Sequence, residues 1–195
     1  AGTGAELPRA NAAAITKEQL HLEDQKYALL IDSDNISHKY ISCILDEMSK
    51  YGVTTYKRIY GDWTSPQAGR WREELLKNSI IPIQQFQNTV GKNATDSALI
   101  IDAMDILYTH NVDGFCIVSS DSDFTRLAAR LRESRMFVIG MGESKTPTAF
   151  KSACDTFKYL DVLMGMKKET LPVAVSEKAS KQPAQQPKAA KKQAQ

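Results

Sequence analysis

Twice in this chain an apolar run that reads as a buried strand stops in two aspartates one residue apart, and that repetition narrows the folds open to it. Residues 115–119 run into Asp121-Ser122-Asp123, and residues 27–31 run into Asp32-Ser33-Asp34-Asn35. One such junction is what an ordinary turn looks like, because Asp, Asn and Ser all favour turns. Two of them, separated by helical segments, place both acid pairs at the carboxyl edge of a parallel sheet, where open α/β folds hold their ligands. The two strands are not consecutive. If their acids share a site, the strands must lie side by side and parallel, with the strand order switching between them.

The rest of the chain supplies the elements for that arrangement. Ile36, Tyr40, Ile44, Leu45, Met48 and Tyr51 recur at helical spacing, with Asn35 as the expected cap and Gly52 as the stop. Residues 53–60 alternate and are β-branched or aromatic, hence a strand, and Gly61-Asp62-Trp63 turns the chain. Ser65 and Pro66 open a second helix that turns Ala68, Trp71 and Leu75 inward and ends near Asn78. Residues 80–83 form a short strand that Pro82 assigns to an edge. After a polar loop over 84–92, residues 94–108 read as a long helix with Leu99, Ala103, Met104 and Leu107 on its apolar side and Asp96 in its first turn. A helix over 123–134, a fifth strand over 136–140, a short helix over 148–153 and at most a small edge strand over 157–160 complete the pattern. Strands alternating with helices in this way predict a three-layer α/β/α sandwich around a mostly parallel sheet of about five strands.

Of the 195 residues, 42% are hydrophobic, enough for one domain with a real core. That domain is expected over 25–165. It lies between a flexible leader, 1–24, and a Lys/Ala/Gln/Pro-rich tail or linker, 166–195, too poor in apolar surface to fold. From 167 onward seven lysines stand against two glutamates, so the basicity lies in the tail, where salt-sensitive, sequence-independent affinity for a polyanion is expected. The chain opens on Ala1 rather than a methionine, which makes flanking domains at either end an expectation. Three cysteines, Cys43, Cys116 and Cys154, without CxxC spacing, argue against a disulfide framework or a zinc site. No run approaches the ~20 apolar residues of a membrane span, and the Ala-rich start lacks the order of a signal peptide. A cytoplasmic location without a membrane partner is expected.

On the reading of a shared site, Asp32, Asp96, Asp121 and Asp123 converge from three loops. Four carboxylates do not sit together at neutral pH unless their pKa values rise or a cation joins them. With no histidine or cysteine in these loops, Mg²⁺ or Mn²⁺ suits the donors better than zinc. The blander reading makes each residue a turn former or helix cap, Asp123 above all. For any one of them the two readings are about even on turn and capping preferences. The coincidence of two such junctions favours the site.

In these motifs the chain resembles the NYN domain family, in particular its LabA-like branch, within the PIN-like nuclease superfamily. The resemblance covers residues 27–163. It runs in order through Ile31-Asp32-x-Asp34-Asn35, Tyr60-Gly61-Asp62-Trp63, Lys92-x-x-x-Asp96 with Asp102, Ser119-x-Asp121-x-Asp123-Phe124, and Ala153-Cys154-Asp155-x-Phe157. It implies a PIN-like sheet and a divalent-metal-dependent ribonuclease whose catalytic and metal-binding carboxylates are Asp32, Asp96, Asp121 and Asp123. Asn35, Ser119 and Asp34 would support them, and a small RNA-binding domain would follow the tail. Metal-assisted in-line attack on the phosphodiester would leave a 5′-phosphate and a 3′-hydroxyl. Lys57, Arg58, Arg70, Arg72, Lys92 and Lys145 are candidates to line the approach of the RNA backbone, and Trp63 to stack on a base. Against this stands the ordinary fate of such residues, cations solvated and tryptophans in the core.

Two rival functions fit parts of the same pattern. A catalytically silent RNA-binding or regulatory module would keep the acids as a structural metal site. Asp32-x-Asp34 after a first strand also resembles the haloacid dehalogenase phosphatases, but the threonine expected after that pair is absent and the later motif is a second close acid pair rather than a separated one. His21, His38 and His110 show no partner pattern, and Asp102 and Asp155 read as supporting groups.

Overall fold

The computed structural model describes residues 25–86 and 94–170; the leader 1–24, residues 87–93 with Lys92, and the tail from 171 lie outside the described residues. Among the described residues six strands form one sheet: β1 (Lys26–Asp32), β2 (Val53–Gly61), β3 (Ile81–Gln84), β4 (Gly114–Val118), β5 (Phe137–Gly142) and β6 (Thr156–Tyr159). Their order is β3-β2-β1-β4-β5-β6, and every neighbouring pair is parallel. β1 therefore lies directly against β4, in register from Tyr27 opposite Gly114 to Ile31 opposite Val118. Strand order reverses there, because the chain leaves β1 toward one edge and β4 toward the other. A crevice opens between the two sets of loops at the carboxyl ends.

Parallel strands covered on both faces read as continuous apolar runs, because neither face meets water. In β1, Ala28 and Leu30 face one layer while Leu29 and Ile31 face the other. The first layer is built from Leu99, Ala103 and Leu107 of α3 (Ala94–Thr109), Leu127 and Leu131 of α4 (Thr125–Glu133), and Phe150 of α5 (Thr148–Ala153). The second takes Ile41, Ile44 and Met48 of α1 (Ile41–Met48), Leu75 of α2 (Arg72–Asn78) with Trp71 just before it, and Leu160 of α6 (Leu160–Thr170). Helices thus cover both faces, and the layers are α/β/α. No helix among the described residues is long and apolar enough to cross a membrane.

Three local expectations need correcting. The sheet has six strands rather than about five, because 156–159 pairs fully with β5. The segment after it, expected to begin an unfolded tail at 166, continues as the helix α6 to Thr170, anchored by buried Leu160 and by Leu163 against the second layer. Asn35 does not cap α1. Ser37 caps a 3₁₀ turn, His38–Tyr40, that leads into it, with its hydroxyl accepting from the Lys39 amide at 3.4 Å. Pro82 does mark the edge: among the described residues β3 pairs with β2 alone and ends the sheet.

Candidate active site

Asp32 is the last residue of β1 and is fully buried, an unusual place for a carboxylate unless several donors face it. Three do. Its Oδ1 accepts from the Asp34 amide at 3.1 Å, and its Oδ2 accepts from Asn35 Nδ2 at 2.7 Å and from Ser119 Oγ at 2.7 Å. Burial pushes the Asp32 carboxyl above its ordinary pKa, against the Asn35, Ser119 and Asp34 hydrogen bonds that favour the ionised form.

Ser119 brings β4 into the same network. Also fully buried, it donates its amide to Met141 O of β5 at 3.0 Å, and its hydroxyl oxygen accepts from the Asp121 amide at 3.0 Å. Asp121 in turn caps the 3₁₀ turn Ser122–Phe124, its Oδ1 accepting from the Asp123 amide at 3.0 Å. The Ser119 hydroxyl thus connects the two acid-ended strands, because it donates to one acid and holds the backbone of the other.

The remaining candidates are placed differently. Asp34 and Asp123 are exposed on the turns that follow β1 and β4. Asp96 sits in the first turn of α3, and its side chain lies outside the described residues, as does Lys92. Among the described residues, no three of His, Cys, Asp and Glu come together closely enough to hold a metal ion. Asp32 and Asp121, linked through the Ser119 hydroxyl to the carboxylate of the first and the amide of the second, offer oxygen alone, and among the described residues Asp32 Oδ1 accepts one of the three bonds made to its carboxylate. That set fits a hard divalent cation, since Mg²⁺ is commonly held by one or two carboxylates while it keeps several waters.

Several cations considered for an RNA approach are already engaged. The Arg58 guanidinium pairs with Asp102 and lies over the Tyr56 ring at 5.1 Å, and the Tyr60 hydroxyl donates to the same Asp102. Asp102 therefore ties α3 to β2. Burial, then the bond to Asp102, pushes the Tyr60 phenol well up. Lys57 donates to Asn78 O at 2.9 Å, and Trp63 packs on the second layer with its Nε1 donating to Ile83 O at 2.9 Å. Asp155 accepts from the Val138 amide at 2.8 Å and from Arg132 at 3.0 Å, joining α4 to β5.

Arg70 and Lys145 stand elsewhere. Both line a polar cavity of about 460 Å³ that opens beside Asp34 and Asn35, with Lys39 and Gln67 on its wall. Glu143, not singled out from the sequence, fixes part of this wall by accepting from Tyr40 at 3.1 Å and from Lys145 at 2.8 Å. Its only signal was its position just after β5.

A profile of the NYN domain matches residues 26–161. The uncharacterized protein MJ0482 of Methanocaldococcus jannaschii is 25% identical over 137 residues, covering 68% of this chain and 54% of that protein, so the chain spans about half the length of that relative. The crystal structure of VPA0982, a protein of unknown function from Vibrio parahaemolyticus RIMD 2210633, superposes with a TM-score of 0.61 at 18% identity, covering 72% of this chain and 96% of that one. At that identity the likeness speaks for the fold alone. The profile match begins at the first residue of β1 and ends in α6, so it takes in the whole sheet and both acid-ended strands, and the chain belongs to the NYN domain family.

Proposed function

We propose that this chain is a divalent-metal-dependent ribonuclease, of the LabA-like branch of its family, that hydrolyses RNA phosphodiester bonds at the crevice between β1 and β4. The observation that carries the reading is Asp32. A fully buried carboxylate with a raised pKa costs folding free energy, and here it is oriented by Asn35 and Ser119 at the point where strand order reverses. Turn formation alone needs no such burial.

Asp32 and Asp121 are the proposed holders of Mg²⁺ or Mn²⁺, with Asp96 and Asp123 contributing from the flanking turns. When bound, such a cation supplies the charge that eases deprotonation of water and balances charge on the phosphate. Ser119 and Asn35 keep the Asp32 carboxylate in one orientation, and the Ser119 to Asp121 contact keeps the second acid near it. RNA is the proposed partner, an additional RNA-binding domain beyond the C-terminal tail is part of the same proposal, and the three buried free cysteines support a cytoplasmic location.

The test is incubation of end-labelled single-stranded and structured RNAs with purified protein, with Mn²⁺, with Mg²⁺ and with EDTA. Metal-dependent products carrying 5′-phosphates, lost in Asp32→Asn and Asp121→Asn, are expected. A second reading, a silent RNA-binding module, draws on Asp121 Oδ1 and the Asp123 amide being engaged in capping a turn. Mn²⁺-dependent stabilisation without cleavage of any RNA would favour it.

A further inference from the structure

The polar cavity beside Asp34 offers concavity, a mostly polar lining and two cations outside any ion pair among the described residues. Lys145 is neutralised by Glu143 at 2.8 Å, and Arg58 by Asp102. Lys39 and Arg70, both exposed on the cavity wall, enter no ion pair among the described residues. The Glu143 carboxylate accepts from Lys145 and Tyr40, and the lining as a whole carries three cations, Lys39, Arg70 and Lys145, against two carboxylates, Asp34 and Glu143, a small positive excess. Its volume, about 460 Å³, lies within the ~300–1,000 Å³ of small-ligand sites.

The wall also carries a ring. His38 is half-buried and edge-on to Trp71, with ring centroids 6.1 Å apart, so packing fixes the imidazole while leaving part of it open to the cavity. Bases taken out of a duplex stack on rings of this kind, and neighbouring polar side chains such as Gln67 can hydrogen-bond their edges. Asn35 belongs both to this wall and to the Asp32 network, where its Nδ2 lies 2.7 Å from the carboxylate. A nucleotide seated here is therefore next to the acids.

We infer that this cavity seats one unpaired nucleotide of the RNA, its phosphate on Arg70 and Lys39 and its base against His38, adjoining the phosphodiester presented to Asp32. The substrate is accordingly single-stranded where it is cut. The inference rests on the nuclease reading for what happens at Asp32, but the seat itself is a matter of binding and is tested without hydrolysis.

Binding of a fluorescein-labelled single-stranded oligoribonucleotide to the full chain, in EDTA at several salt concentrations, is followed by anisotropy. The Arg70→Ala, Lys39→Ala double variant is expected to lose on the order of tenfold in affinity and to lower the salt slope by about 0.7 for each phosphate contact removed. His38→Ala should lose on the order of tenfold as well, within the range of a stacking contact. Lys77→Ala, an exposed lysine at the end of α2, should bind as wild type, and unchanged melting temperatures should show that all variants fold. A blunt duplex of the same sequence should bind more weakly than the single strand. Pocket variants that bind like wild type would overturn the inference, as would equal affinity for the duplex or displacement of the oligonucleotide by an equal concentration of nucleoside monophosphate. Hydrolysis in Mn²⁺ that is untouched by the pocket variants removes the seat and leaves the nuclease. Arg70-dependent single-strand binding without any hydrolysis removes the nuclease and leaves the seat.

Discussion

Replacing Asp32 by alanine and, separately, by asparagine distinguishes the charge of this carboxylate from the hydrogen bonds it accepts. Of its three donors only the Ser119 hydroxyl is fully buried; Asp34 and Asn35 are exposed, and water can take over there. Asp32→Ala orphans that hydroxyl, at a cost of ~1–3 kcal/mol, and opens a small void, while removal of a desolvated charge offsets part of the loss. The net expectation is a destabilisation of about 1–3 kcal/mol. Asp32→Asn keeps an acceptor for the Asp34 amide. A flipped Asn35 amide and the Ser119 oxygen can accept from the new NH₂. Although the Ser119 hydrogen loses its acceptor as in alanine, no void opens and the Asp34 amide stays bonded, so the loss should be smaller than for alanine, about 1 kcal/mol. Urea unfolding at pH 7 in EDTA, fitted with a common slope, measures both values. Mn²⁺ added at a hundred times its dissociation constant should then stabilise wild type by about 2.7 kcal/mol and either variant by much less. Equal losses for alanine and asparagine would refute the hydrogen-bond account of the site, and Mn²⁺ stabilisation of the variants equal to that of wild type would refute the role of Asp32 as a metal ligand.

Glu47 is buried and accepts from Lys50 at 2.5 Å and Lys158 at 3.0 Å; burial works to raise its pKa, but the two lysines prevail and hold it below its ordinary value. The stability this contributes is present above the unfolded-state pKa and is lost as pH falls through the folded value, so Glu47→Gln should flatten the acid limb of a Tm-against-pH curve. Superimposable limbs would contradict it. At Gly142 an added Cβ would sit 2.5 Å from Ser119 O and 2.7 Å from Thr146 Oγ1, and the first of these is backbone at the end of β4. Gly142→Ala should cost about 1–3 kcal/mol in overpacking, read as a lower Tm, and an unchanged Tm would show that the β4 end can give.

The central pairing was legible because burial on both faces leaves its mark on composition: 27–31 and 115–118 are almost wholly apolar, and only neighbouring parallel strands bring their acidic ends together. The far end of the sheet was harder to read. Phe157-Lys158-Tyr159-Leu160 alternates like a strand through its last residue, and the Lys- and Glu-containing stretch after it hides a helix that packs on the second layer through Leu160 and Leu163. Nor did local pattern reveal that Arg58 and Tyr60, two residues apart on one face of β2, would be claimed by Asp102, more than forty residues away. In the site, the positions of the acids followed from strand ends. The hydroxyl joining them did not, because Ser119 and Asp32 are 87 residues apart and no periodicity links them.

That separation has a consequence for how the protein is made. At ~5–20 residues per second a ribosome needs roughly 4–17 s to add the 87 residues between Asp32 and Ser119. Once β2 has been made, β1 can pair on that side, while its other hydrogen-bonding edge stays open until β4 is made and docks there. The growing chain thus carries at its centre the strand edge most exposed to mispairing, and the arrival of β4 closes that edge and completes the Asp32 network in a single event.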